Sequence, residues 1–333
     1  MNRMLWTVSL AAVLGAGLHA QDKAGPPKHT VQFVNVEKDV NLEVVDWGGS
    51  GPPLVFLAAL GADAHEFDWF APKLTGKCHA YGITRRGFGA SSSPSSGYTA
   101  DRLGDDVLAV IDALRLSRPV LAGHSMAGEE LSSVGSRHPE KVAGLIYIEA
   151  AYSYAYYDPS QGDLLIDSLE LQRKLELLLP GKGRPDQKRL TEELLQEVSR
   201  VEKDLLGRRK ELQDQPDIPR PDAGFKPPVI PVPILGMLAG VQKYTDIRVP
   251  VLAIYADPHD FGDEFKNDPA GLAKAEADDR AKVGAIADAF ERGVPSARVV
   301  RIPHASHYIF GSNEADVLRE MNAFLGGLPK GGG

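Results

Sequence analysis

Cysteine is almost missing: Cys78 is the only one in 333 residues. No internal disulfide can form, so stability has to come from packing alone. An excess of positive charge is missing as well. Lys and Arg number 37 against 45 Asp and Glu, a net charge of −8 that offers no basic face to nucleic acid. The chain has neither a Cys/His cluster at metal-ligand spacing nor a glycine-rich phosphate loop, so no metal and no nucleotide cofactor is expected. The apolar run near the start, Leu5 to Leu18, is too short for a comfortable membrane span. Arg3 precedes it, and Leu18-His19-Ala20 then gives way to the polar Gln21-Asp22-Lys23. That pattern predicts a signal peptide over 1–20 and export to a periplasmic or extracellular location, with an uncleaved anchor as the alternative. What remains suits one large soluble domain with an insertion: about 310 residues by length, ordinary in its 43% hydrophobic and 25% charged content.

What is present first is alternation. Val31, Phe33, Val34 and Val36, then Leu42, Val44, Val45 and Trp47, predict two antiparallel strands within 30–47. Leu54 to Ala58 is a continuous apolar run, as expected of a parallel strand covered on both faces. Cys78 to Ile83 predicts another strand. Ala100 to Leu114 predicts an amphipathic helix with Leu103, Val107, Val110, Ile111 and Leu114 on one face. Strands ending near Ala122 and over Val142 to Ile148 follow, with a helix between them. This alternation implies an α/β class with a doubly wound, mostly parallel sheet, whose reactive groups belong at the carboxyl ends of the strands.

From 151 to 246 the pattern changes to helices and proline-rich connections. Leu190, Leu194, Val198, Val201 and Leu205 share one helical face, and the charged residues around them, Glu197 included, read as a solvated surface. Pro216, Pro219, Pro221, Pro227, Pro228, Pro231 and Pro233 stiffen the exit. The core then comprises 30–150 and 247–328, and a helical insertion between two parallel strands is expected to lie over their carboxyl ends as a lid.

Gly123-His124-Ser125-Met126-Ala127-Gly128 places a serine between small residues where a strand turns into a helix. Gly123 and Ala127 leave room for a strained turn that exposes the hydroxyl. The Met126 N–H then points, with the helix N-terminus, at the place where an oxyanion would form. A buried serine in a tight turn is the plain alternative.

In order along the chain, Thr84-Arg85-Arg86-Gly87-Phe88-Gly89-Ala90-Ser91, the Ser125 turn, Pro250 to Ala256, Ile302-Pro303-His304-Ala305-Ser306-His307 and the helix Val317 to Leu325 resemble the α/β-hydrolase superfamily over 30–328. The resemblance implies a serine hydrolase with a helical lid over 151–246. It makes Ser125 the nucleophile and His307, four residues after Pro303, the base; His304 holds a position usually filled by a small residue. Two solutions for the acid stay open. Asp260 lies in the loop after the late strand, one residue beyond the usual register, with Asp257 two short of it. Glu149 follows the strand Gly144 to Ile148, as in haloalkane dehalogenases and some lactone hydrolases. The matching oxyanion-hole donors are the backbone N–H groups of Leu60 and Met126, although the early strand ends Leu57-Ala58-Ala59-Leu60-Gly61 where the family commonly has His-Gly.

Such a set implies attack on an acyl carbonyl, an acyl-enzyme, and release to water activated by His307. The expected substrate is a small or medium apolar carboxylic ester or lactone, a small-molecule partner. C–C hydrolysis, lyase or acyltransferase chemistry on the same side chains, and a ligand-binding relative without catalysis, are the alternatives. Tyr152, Tyr154, Tyr156 and Tyr157 at the entry of the insertion, and Ile230, Val232, Ile234, Leu235, Met237 and Leu238 at its exit, either line an apolar pocket or pack the insertion on the core.

Overall fold

The computed structural model describes residues 29–179, 186–213 and 228–329. The expected leader at 1–20 lies outside them, as do Pro216, Pro219, Pro221 and Pro227.

Eight strands form one sheet in the order β1-β2-β4-β3-β5-β6-β7-β8. They are β1 (Thr30–Glu37), β2 (Val40–Gly49), β3 (Pro53–Leu57), β4 (His79–Ile83), β5 (Val120–His124), β6 (Gly144–Ile148), β7 (Val251–Ala256) and β8 (Ala297–Ile302). β2 pairs antiparallel with β1 and with β4, and every other pairing is parallel. The parallel strands β3, β6 and β7 are apolar because both faces are covered, and the twofold alternation of side chains sorts them. Val55, Leu121, Leu145, Tyr147, Val251, Ala253 and Tyr255 face one cluster. Leu54, Phe56, Val120, Ala122, Ile146, Leu252 and Ile254 face the other.

Helices α1 (Ala100–Ala113), α2 (Gly128–Arg137) and, later in the chain, Pro269–Gly293 cover the first face through Val107, Val110, Ile111, Leu131, Val134, Val283 and Phe290. The final helix, Glu314–Gly327, covers the second through Val317 and Met321, beside Phe67, Phe70 and Leu74. This is the doubly wound arrangement expected from the sequence.

Among the described residues, three helices lie between β6 and β7: α3 (Leu164–Glu176), α4 (Gln187–Gln213) and α5 (Val232–Gly240). The helices Pro269–Gly293 and Glu314–Gly327 are hereafter α6 and α7. The Asp163 carboxylate starts α3 by accepting the Leu165 and Ile166 N–H groups. In α4 the expected apolar face is only partly covered, since Leu190 is buried while Val198 and Leu205 are exposed. Glu197 departs from the solvated surface expected for it. It is buried, and Lys174 and Lys243 hold its two oxygens at 3.0 and 2.8 Å. Periodicity could not anticipate this, because the two lysines come from other parts of the chain. Among the described residues no helix is long and apolar enough to cross a membrane.

Candidate active site

β5 delivers Ser125. The chain leaves His124 in extended conformation and turns at Ser125, whose φ is 53°. A residue with a side chain holds that left-handed conformation at a cost of about 1–2 kcal/mol. Missing side chains make the turn possible. A Cβ built on Gly123 would lie 2.9 Å from the Cβ of Ala127, and one on Gly128 would lie 2.0 Å from the carbonyl oxygen of Ala150. The first residue of α2 thus touches the backbone just past β6.

The loop after β8 brings His307 to this turn. Its Nε2 is 2.9 Å from Ser125 Oγ and its Nδ1 is 3.2 Å from Glu149 Oε2. The partners assign the tautomer: Nδ1–H donates to the carboxylate, and Nε2 accepts the serine O–H. Glu149 follows β6 directly, wholly buried and with φ of 50°. Its Oε1 accepts the Ala256 N–H at 2.7 Å, and its Oε2 also accepts the Tyr152 O–H at 2.7 Å and His259 Nε2–H at 2.9 Å. Burial works to raise the Glu149 pKa. The hydrogen bonds from His259 and His307 outweigh it and hold the carboxyl down at about 2, so the group is ionised.

Asp260 is not brought to His307. It is exposed, its Oδ1 accepts the Gly262 N–H at 2.8 Å, and its own N–H donates to the Ala305 carbonyl at 2.9 Å. The loop after β7 curls so that its neighbour His259 faces inward instead. His304 is also remote from the serine; its Nδ1 lies 3.5 Å from Glu276.

His124 is fully buried behind this group. Its Nδ1 is 2.7 Å from Glu66 Oε1 and its Nε2 donates to the His307 carbonyl at 2.9 Å. Burial would lower the His124 pKa, but the Glu66 carboxylate overrides it and raises the value. His307 shifts the other way. Burial lowers its pKa most, the hydrogen bond to Glu149 opposes, and the His124 and His259 charges push it further down. The result is an unprotonated imidazole beside a hydroxyl, which is the state a general base needs.

Arg85 braces the opposite wall. Its Nε and Nη2 hold the Glu130 carboxylate at 2.9 and 2.6 Å, and its Nη2 and Nη1 donate to the Ala58 and Ala59 carbonyls at 2.9 and 3.1 Å. One guanidinium thereby joins the end of β3 to the first turn of α2. Leu60, just past that anchored segment, and Met126 are buried in one apolar cluster with Tyr98, Tyr157, Ile234 and Met237.

The tyrosines at the entry of the insertion divide. Tyr152 bonds Glu149. Tyr154 borders Ser125: burial and the nearby Glu149 raise its phenol pKa, and a hydrogen bond with Ser125 opposes them. Tyr156 packs on Phe290 with ring centres 5.7 Å apart, and the Tyr157 hydroxyl donates to Asp167 at 2.7 Å. At the exit, Ile234 and Met237 are buried while Val232 and Leu235 are exposed. Tyr156, Tyr157, Ile234 and Met237 thus pack the insertion on the core, the second of the two sequence readings.

Two groups among the described residues bring three metal-ligand atoms within 4.8 Å of one another. In Glu149, His259 and His307, each atom already serves the hydrogen bonds above, and a metal would have to displace them. In His29, His65 and Asp68, the aspartate holds His65 Nδ1 at 3.0 Å and the Trp47 Nε1–H at 2.8 Å.

Sequence reasoning missed His259 and Asp279. His259 Nδ1 is 3.0 Å from Asp279 Oδ2, which also accepts the His259 backbone N–H at 2.7 Å. The signal in the sequence is the loop Asp257-Pro258-His259-Asp260, which sets a histidine between two carboxylates after a parallel strand.

With this geometry in view, comparisons with known proteins agree on the fold. The model of the alpha/beta hydrolase family matches residues 54–320. The chain is similar to 2-(acetamidomethylene)succinate hydrolase of Mesorhizobium japonicum, at 22% identity over 83% of this chain and 89% of that enzyme. It is similar to 3-oxoadipate enol-lactonase 2 of Acinetobacter baylyi at 30% identity, over 34% of this chain and 43% of that enzyme. The solved structure of E-2-(acetamidomethylene)succinate hydrolase superposes with a TM-score of 0.55 at 20% identity, over 90% of this chain and 100% of that one.

Proposed function

The chain belongs to the alpha/beta hydrolase family, and on that premise we propose that it is a serine hydrolase that cleaves a small or medium apolar carboxylic ester or lactone. The observation that carries this reading is the contact of Ser125 Oγ with His307 Nε2 at 2.9 Å, with Glu149 behind the imidazole. His307 takes the Ser125 proton as the hydroxyl oxygen attacks the acyl carbonyl. Glu149, already ionised, stabilises the imidazolium without taking its proton. The backbone N–H groups of Leu60 and Met126 are the proposed donors to the tetrahedral oxyanion. His307 then gives its proton to the departing alkoxide, and a water attacks the acyl-enzyme by the reverse sequence.

The apolar cluster around Leu60 and Met126 supports an apolar acyl group. In this reading helices α3 to α5 form a lid over that cluster. Among the relatives, an enol-lactonase acts on a cyclic ester by its name, which supports keeping lactones in the substrate class.

The test is acylation. Aryl esters of short acids such as p-nitrophenyl acetate should be hydrolysed, and an aryl phosphonate should label Ser125 and no other serine. Ser125→Ala should lose both activities. A wild-type protein that neither hydrolyses the esters nor takes the label would overturn the proposal.

A further inference from the structure

The acid of the Ser125 site has a second histidine of its own. His259 Nε2 lies 2.9 Å from Glu149 Oε2 and its Nδ1 lies 3.0 Å from Asp279 Oδ2, so a line of side chains runs Ser125, His307, Glu149, His259, Asp279. A neutral imidazole has one N–H and one lone pair. Between two carboxylates it would have to turn that lone pair on an anion. Asp279 Oδ2 is already an acceptor, because the His259 backbone N–H donates to it at 2.7 Å, and Glu149 Oε2 already takes a proton donor from Tyr152. Both ring nitrogens must therefore donate, and His259 is an imidazolium. Burial would lower its pKa, but the bonds to Asp279 and Glu149 outweigh burial and raise the value to about 10.

The backbone locks the same pair of loops. His259 forms an isolated parallel bridge with Ala305, and the Asp260 N–H donates to the Ala305 carbonyl at 2.9 Å, two residues before His307. Movement of His259 would therefore carry the His307 loop with it.

We propose that His259, clamped by Asp279, is a positioning residue of this site: it fixes the register of Glu149 against His307 and sets a permanent positive charge behind the carboxylate. The inference rests on the reading of His307 as the base. Its consequence is a base that stays unprotonated in mildly acidic solution. Ser125 and His124 face His307 from β5, Glu149 from β6, His259 from the loop after β7, and Tyr308 from its own loop, with Glu66 behind His124. His259 faces Glu149, Asp279 on α6, and Asp257 in its own loop. Of these groups His124 and His259 are the cations near His307, and removing one should make His307 easier to protonate.

The test is a titration of the His307 ring by NMR in the full chain, assigned by comparison with His307→Gln. In the wild type the midpoint should lie below the ordinary histidine value. His259→Gln keeps an amide donor for Glu149 and removes the charge, and the midpoint should rise by about one pH unit. Asp279→Asn, which leaves the His259 ring in place but weakens its hold on the second proton, should move it the same way. A role in packing alone would move neither. An unchanged midpoint in both variants overturns the role of His259 whatever the phosphonate does, and failure of the wild type to label overturns the proposed function whatever the midpoint does.

Discussion

His124 Nε2 donates to the backbone carbonyl of His307 at 2.9 Å, joining the strand that carries the serine to a loop 183 residues further along the chain. The ring has no exposed surface, and Glu66 holds its other nitrogen at 2.7 Å. The donor thus fixes where the imidazole of His307 enters the site.

Replacing His124 by Phe removes the donor and leaves Glu66 buried without its partner. On the proposed function, kcat/KM for an aryl ester should fall by about 10- to 100-fold, the penalty of a misplaced catalytic group. His124→Gln, which retains an N–H donor, should recover part of the loss. Initial rates, with thermal melting to check folding, measure both.

Arg85 and Glu130 form a two-point ion pair with almost no exposed surface. Arg85→Lys keeps the charge but not the planar fork that also reaches the Ala58 and Ala59 carbonyls. The variant should be less stable by about 1–3 kcal/mol, the cost of leaving buried hydrogen-bonding groups unpaired, and, on the proposed function, slower in acylation because the segment before Leu60 is released. Urea unfolding at neutral pH and burst kinetics check the two effects separately.

Glu129, the neighbour, is buried, and neither carboxyl oxygen has a hydrogen-bond partner among the described residues. Burial raises its pKa well above 4.5, the Glu130 charge adds to the rise, and Arg85 opposes it. With the folded pKa above the unfolded one, the native state binds this proton more tightly. The contribution is complete below pH 4.5 and is lost as the pH climbs toward the folded value. Glu129→Gln should therefore gain stability relative to the wild type as the pH rises from 4.5 to 8, a trend that urea midpoints along that range would show or refute.

Ser125 carries the strain of its turn even without substrate. Ser125→Gly relieves a left-handed φ that Ser125→Ala keeps, so the glycine variant should melt at least as high as the alanine variant although glycine elsewhere lowers stability. A lower melting temperature for the glycine variant would show that the turn is not strained at this residue.

Much of this was legible in the sequence. Leu54 to Leu57 and Val251 to Ala256 could be read as covered parallel strands because a sheet protected on both faces leaves continuous apolar runs. Ser125, His307 and Glu149 stood in recognisable segments. The choice between Glu149 and Asp260 was not legible, since it depends on how β6 and β7 lie side by side. The Glu149 N–H donates to the Ile254 carbonyl and the Ala256 N–H donates to its Oε1, so the neighbouring strand β7 seats the proposed acid together with Tyr152 from its own loop. His259 and Asp279 are 20 residues apart on a loop and a helix, and no local pattern joins them.

The absent side chain at Gly128 has a consequence for the whole line of proton-sharing groups. A methyl there would meet the Ala150 oxygen at 2.0 Å, one residue past Glu149, so the helix that follows Ser125 and the chain that leaves β6 through Glu149 would have to part. Hydrogen bonds tolerate only tenths of an ångström, and the reach from hydroxyl to carboxylate is in effect gauged by the smallest residue in the chain. Any lineage of this enzyme that admits bulk at that point must re-seat the imidazole as well.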